Sequence, residues 1–272
     1  MSLTKCSTIF VTYLALAGVA VAGPLEEGEA AYAHQDYSAA LRILRPLADQ
    51  GAAEAQYDLG IIYVNGSGVQ QSYTEAAMWY RKAADQEWPA AQELLGNLYA
   101  QGNGVPQDYT EAVKWWRRAA EQGSVVPAYD LGVIYDQGKV IPQDDTEALK
   151  WYGLAASLGY APAQFNLAIM FEYKRPGGAD YVNAAQWYLA AANQGFAPAQ
   201  LDLGVLYASG HGVPQDNIKA SMWFTIAASQ FSKSEKESLA KVAEGQSYLA
   251  AKMTPEQIAR ATLLAGEWRP SK

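Results

Sequence analysis

Cysteine is almost absent: Cys6 is the only one in 272 residues, and it falls close to the start. A body without cysteine has no disulfide, no thiolate nucleophile and no thiolate metal ligand, so its stability must come from packing. Histidine is nearly as scarce. His34 and His211 are the two in the chain, and neither has a second histidine or cysteine at metal-ligand spacing. Gly-rich phosphate loops and nucleophile elbows are missing too, so neither a cofactor nor a metal nor a catalytic constellation is expected and the chain reads as non-enzymatic. Positive charge is short, with 20 Lys and Arg against 28 Asp and Glu and a formal net charge of -8. No basic stripe exists of the kind that neutralises phosphates, which argues against a nucleic-acid partner. Charged residues make up only 18% of the chain and hydrophobic ones 50%, a balance that excludes disorder.

The opening stretch differs from the rest. Lys5 precedes a mostly apolar, uncharged run from Cys6 to Val21, and the small residues Ala20 and Ala22 stand three and one positions before a cut ahead of Gly23. This pattern predicts a signal peptide over residues 1–22, cleaved after Ala22, and a periplasmic or secreted protein. Retention of the segment as an anchor is the alternative, opposed by Ser7, Thr8 and Thr12 within it. No later segment is long and apolar enough to span a bilayer.

What the chain does have is tyrosine and tryptophan, 18 and 8, beside only 6 phenylalanines. Their placement is periodic. Trp79, Trp115, Trp151, Trp187 and Trp223 are each 36 residues apart, and Gly60, Gly96, Gly132, Ala168 and Gly204 keep the same interval. Leu59, Leu95, Leu131, Leu167 and Leu203 form a third column, and Tyr63, Tyr99, Tyr135, Phe171 and Tyr207 a fourth. An unbroken period of this length points to a repeat architecture.

Each unit contains two helical patterns. Ala53, Tyr57, Leu59, Gly60, Ile62 and Tyr63 give the stripe of a first helix, and Tyr73, Ala76, Ala77, Trp79, Tyr80, Ala83 and Ala84 that of a second. Glycines such as Gly66 and Gly68 turn the chain between them. Ser72, Asp108, Asp144, Asp180 and Asp216 are placed to cap the second helices, with Glu75, Glu111 and Glu147 three residues on as in a capping box. The glycine column allows close approach of the second helix, whose Ala76, Ala112, Ala148, Ala184 and Ala220 are expected to meet it. Beyond residue 232, Ser234 to Ala251 reads as one helix, and Thr254, Pro255 and a capping glutamate open another, whose Leu263, Leu264 and Trp268 are expected to seal the array.

The combination of Leu59, Gly60, Tyr63, Gly66, Gly68 and Val69 with Ala76, Trp79, Tyr80, Ala83 and Ala84 resembles the Sel-1-like repeat family, a relative of the tetratricopeptide repeat. The resemblance implies an all-α, right-handed α-solenoid of helix-turn-helix repeats with a C-terminal helical cap. A degenerate opening repeat at 23–52 would be followed by units at 53–88, 89–124, 125–160, 161–196 and 197–232, then by capping helices over 233–272. It also implies a scaffold or adaptor for other proteins, and many bacterial relatives are exported. Cysteine-rich relatives have been assigned penicillin-binding or hydrolytic activity, and this chain departs from them in lacking a cysteine pair in every unit.

One partition bears on partners. The first-helix segments 53–65, 89–101, 125–137, 161–173 and 197–209 contain no Lys or Arg, yet they carry Glu54, Asp58, Glu93, Asp130, Asp136, Glu172 and Asp202. If they line a concave face, as the tetratricopeptide likeness implies, the groove suits a neutral or basic protein segment rather than an acidic peptide. Tyr57, Tyr129 and Phe165 would supply flat contact area, and Asp58, Asn97, Asp130, Asn166 and Asp202 polar contacts. The other placement leaves those aromatics inside and the carboxylates solvated. Tyr173 opens an atypical loop through Lys174, Arg175, Pro176, Gly177 and Gly178 in the fourth unit, read either as drift or as a partner-specific knob. A glycan binder is the alternative function, with Trp88, Tyr160 and Phe196 at the unit junctions as its candidate aromatics.

Overall fold

A computed structural model describes residues 23–174 and 178–271; the expected leader and residues 175–177 of the atypical loop lie outside the described residues. The described chain is all α, without a strand. An opening pair, α1 (Pro24–Ala33) and α2 (Tyr37–Asp49), precedes α3 (Ala53–Asn65) and α4 (Tyr73–Ala84), α5 (Pro89–Gln101) and α6 (Tyr109–Glu121), α7 (Val125–Gln137) and α8 (Asp145–Ser157). Then come α9 (Ala161–Ile169) with a π turn (Met170–Lys174), α10 (Tyr181–Asn193), α11 (Ala197–Ser209) and α12 (Asn217–Gln230), followed by α13 (Lys236–Ala250) and α14 (Pro255–Glu267). From α1 to α13 each helix packs on the next, and α14 returns to pack on α12, giving the α-solenoid expected from the period.

Caps set the helix starts. Asp36, Ser72, Asp108, Asp144, Asp180 and Asp216 each accept a hydrogen bond from a backbone N–H of the helix that follows. The glutamate at the third position does not simply close a capping box. Glu111 reaches Lys114, while Glu147 binds Arg117 at 3.1 Å and the Trp151 indole at 2.8 Å. A reciprocal box does form at α14, between Thr254 and Gln257 rather than a glutamate, because Gln257 holds the third position. Four first helices end on a left-handed glycine, Gly66, Gly102, Gly138 or Gly210. The fourth unit has Lys174 in that column, where a left-handed turn costs a side-chain-bearing residue about 1–2 kcal/mol, and its first helix ends through the wider π turn instead.

The side chain over each glycine is an aromatic ring, not the alanine expected from spacing. A Cβ on Gly60 would stand 2.2 Å from the Tyr80 ring, one on Gly132 2.4 Å from Tyr152, and one on Gly204 2.7 Å from Phe224. Those rings are buried, as is the Ala column beside them.

Six basic residues of the second helices lie on tryptophans. Arg45 and Lys82 stack on Trp79, Arg81 and Arg118 on Trp115, and Arg117 and Lys150 on Trp151. Arg45 and Arg117 also donate to Tyr63 and Tyr135 at 2.9 Å, and Arg81 donates to Tyr99. Trp223 meets Trp268 of the cap, ring centroids 6.0 Å apart. Leu263 points outward at 52% exposure; Ala261, Ala265 and Trp268 do the sealing, because the small face of α14 is the one laid on α12.

Buried glutamines tie successive units. Gln56, Gln92, Gln164 and Gln200 each donate to a carbonyl near the end of the preceding second helix, Ala48, Ala84, Ala156 and Ala192, at 3.0–3.2 Å. The first three also accept from Gln86, Gln122 and Gln194. In the third unit both members are apolar, Ala128 and Leu158.

Candidate protein-binding face

A helix advances about 100° per residue, so the positions opposite the glycine of each first helix lie roughly two residues before it, then one and five after it. In α3 these are Asp58, Ile61 and Asn65, and the same columns hold Leu94, Asn97 and Gln101, then Asp130, Val133 and Gln137. They continue as Asn166, Ile169 and Tyr173, and as Asp202, Val205 and Ser209. Facing away from the second helices, this stripe mixes apolar and polar groups and holds no cation. Val205 is 47% exposed and Tyr173 72%, whereas Asp58 is only 9% exposed.

The carboxylates are less solvated than charge alone would dictate, and they meet in like-charged pairs across unit junctions. Glu29 of α1 acts on Asp58 of α3, Asp130 of α7 on Glu93 of α5, and Glu172 of the π turn on Asp202 of α11. Burial, reinforced by Glu29 and Glu54, pushes the Asp58 carboxyl up to about 7. Burial lifts Asp130 to about 6 and, with Glu172, Asp202 to about 7, while the ammonium of Lys241 on α13 works in the opposite direction on Asp202. Glu29 and Glu93 are raised for the same reasons. The Oδ2 atom of Asp58 is buried and has no hydrogen-bond partner among the described residues.

Second-helix side chains reach this face from beneath. The Trp116 indole donates to Asn97 at 2.9 Å, and the Tyr188 hydroxyl to Glu172 at 2.8 Å. Tyr129 and Tyr152 are both hydrogen-bonded to Asn166. Asn97 and Asn166 are therefore half-buried links between helices as well as surface groups. Tyr57, Tyr129 and Phe165 lie at the seams: Tyr57 packs on Tyr80 and Trp88, Tyr129 on Tyr152 and Tyr160, Phe165 on Tyr188 and Phe196. The junction aromatics Trp88, Tyr160 and Phe196 are engaged in those same contacts and do not stand out as a row of open rings. His211 stacks on Tyr181 at 4.6 Å, and among the described residues no three His, Cys, Asp or Glu side chains converge as a metal ion requires.

The sequence profile of the Sel1 repeat matches residues 53–87, 89–124, 128–160, 161–196 and 197–230, more than half of the chain. The chain belongs to the Sel1 repeat family. Sel1 repeat proteins are generally protein–protein interaction scaffolds, and the family is typically non-catalytic. Among solved structures the chain resembles the Sel1 repeat protein from Oxalobacter formigenes, at 29% identity and a TM-score of 0.75, covering 90% of this chain and 100% of that one. It is also similar in fold to c5321, a protective antigen present in uropathogenic Escherichia coli strains, at 24% identity and a TM-score of 0.53, covering 90% of this chain and 68% of that one. No curated protein matches the chain.

Periodicity brings Asp58, Asp130 and Asp202 to one column, but their acidic neighbours Glu29, Glu93 and Glu172 share no column with one another. Column comparison therefore misses the pairs. The members of each pair belong to the first helices of adjoining units and stand about 29 to 37 positions apart, a separation close to one repeat.

Proposed function

We propose that this Sel1 repeat protein is a non-catalytic scaffold that holds a neutral or basic segment of another protein along the stripe opposite its glycine column. The three like-charged carboxylate pairs carry this reading. Each is destabilising by itself, and α1, α3, α5, α7 and α11 hold no Lys or Arg, so a partner that brings positive charge relieves repulsion that the free protein bears, eased at Asp202 by Lys241 of α13. Apolar neighbours such as Ile61, Val133, Ile169 and Val205 give such a segment surface to bury.

Export follows from the composition of residues 1–22, and the partner is then a protein of the cell envelope or beyond it. The N-terminus of the protein recovered outside the cytoplasm should be Gly23. Crosslinking in the native cell, followed by recovery of the chain, should bring down a partner from the wild type and much less of it from Asp130→Lys/Asp202→Lys. Equal recovery from both would remove the acidic face from the interaction.

A further inference from the structure

At the N-terminal end of this face, α1, α2 and α3 enclose a small depression lined by Glu29, Tyr32, Leu44, Asp58 and Ile61. Asp58 is 9% exposed, and its Oδ2 atom has no partner among the described residues. The charged neighbours that act on it, Glu29 and Glu54, are both acidic. An ionised oxygen in such a place is uncompensated, and a second carboxylate beside it makes the deficit worse. The rest of the lining is mostly hydrocarbon: the fully buried Leu44, Ile61, and the Tyr32 ring, whose hydroxyl accepts from Asn65 at 3.1 Å.

The same column supplies its own precedent at the other end of the array. Asp202 stands four repeats after Asp58 and is likewise buried beside a glutamate, Glu172. There α13 folds across α11 and α12, seating Val242 and Leu249 in the core they share, and the charge of Lys241 acts on Asp202. Lys241 is bridged to Glu237 of its own helix at 2.9 Å, so one ammonium is held where it serves two acids. Asp58 has the carboxylate pair of that arrangement, and among the described residues no cation acts on it.

We infer that the depression between α1, α2 and α3 takes the side chain of a lysine from the partner protein, its methylene stem against Ile61 and the Tyr32 ring and its ammonium between Asp58 and Glu29. The inference rests on the scaffold reading above and names the chemistry of one contact. A narrow unbranched stem suits a shallow apolar slot, and a compact ammonium with three donors suits two carboxylates that converge from different helices. A planar guanidinium with five fixed donors asks for a wider, coplanar setting. A metal ion asks for more ligands than two carboxylates supply.

Nα-acetyl-lysine methylamide is the probe, with its norleucine counterpart as the uncharged control and potassium chloride as the control for screening. In carbon-detected spectra of the labelled full chain, the Asp58 and Glu29 carboxyl resonances should move saturably with the lysine derivative and with neither control. Asp58→Asn should weaken binding about tenfold or more, Glu29→Gln about threefold, and Asp202→Asn should leave it unchanged; tenfold corresponds to 1.4 kcal/mol. Glu29 lies nearer the surface, so its variant keeps the test available where Asp58→Asn does not fold. Equal movement with norleucine or potassium, no movement at about 100 mM probe, a concentration well above a mM-range dissociation constant, or unaltered affinity in a folded variant would overturn the proposal. Partner recovery separates this contact from the broader reading: loss with the Asp130/Asp202 reversal but not with Asp58→Asn keeps the acidic face and removes the lysine subsite.

Discussion

Gly96 shows how tightly first and second helices meet. A Cβ there would lie 2.6 Å from Trp116 Cδ1 and 3.2 Å from the backbone oxygen of Ala112, and a backbone oxygen yields less readily than a ring edge. Gly96→Leu is expected to lower stability by roughly 1 to 3 kcal/mol through overpacking, seen as a lower urea midpoint at unchanged slope. An unchanged midpoint would mean that the contact is not made. The column is legible in the sequence, but the side chain above it is not. A period of 36 aligns Ala76 and Tyr80 equally well, and only the way the helices cross places Tyr80 over Gly60. The glutamine contacts carry a stronger signal that spacing alone passes over. Ala128 and Leu158 interrupt two glutamine columns in the same unit, which is what two touching positions do when they change together. Gln92→Ala should cost roughly 1 to 3 kcal/mol, because it strands the partners of a fully buried amide. Adding Gln122→Leu reproduces the apolar pair of the third unit and should recover part of that loss. A double variant no more stable than Gln92→Ala would show that the two glutamines are not coupled.

The helices themselves are legible because their boundaries are marked, the second helices by an acid or serine before the start and four of the first helices by a glycine after the end. Where a mark is missing, the sequence says that something changes without saying what. Lys174 in a glycine column signals a different ending for the fourth first helix, but a π turn is one of several ways to make it. The cap is a similar case. Helical spacing puts Leu263, Leu264 and Trp268 on α14, yet its rotation about its own axis depends on what α12 offers, and Leu263 ends up outside. Trp268 is the part that holds. Its ring packs edge-on against Trp223, and the chain beyond it is pinned by Ser271, whose backbone N–H donates to the Asn193 carbonyl at 2.7 Å. Trp268→Ala removes a half-buried ring, a loss of about 2 kcal/mol, and should lower the melting temperature by roughly 4–8 °C. A melting temperature within a degree of wild type would mean that the last repeat is closed by other contacts.

Across the array, acidity and packing combine into a dependence on pH that no single unit reveals. Composition gives the sign of the net charge, and the period gives the column of aspartates, but neither shows that carboxylates of adjoining units are half-buried within electrostatic reach of one another. The burial that follows raises Asp58 and Asp202 to about 7 and Asp130 to about 6, from an ordinary value of 3.8, and raises Glu29 and Glu93 as well. Between those limits the native chain holds protons that the unfolded chain has given up. Stability changes with pH in proportion to protons bound unfolded minus protons bound native, which is negative here, so each group makes the fold less stable as pH rises from about 4 to about 7. Above that range the native carboxylates are ionised as well and the contribution is flat. The urea midpoint should therefore be higher at pH 5 than at pH 8, the reverse of a protein whose carboxylates are held by salt bridges. Asp58→Asn/Asp130→Asn/Asp202→Asn should level most of this slope while leaving the midpoint at pH 5 close to that of the wild type, because a neutral amide resembles the protonated acid it replaces. A wild-type midpoint that rises between pH 5 and pH 8 would show that these carboxylates are ionised in the native protein throughout, already compensated by a group or by water.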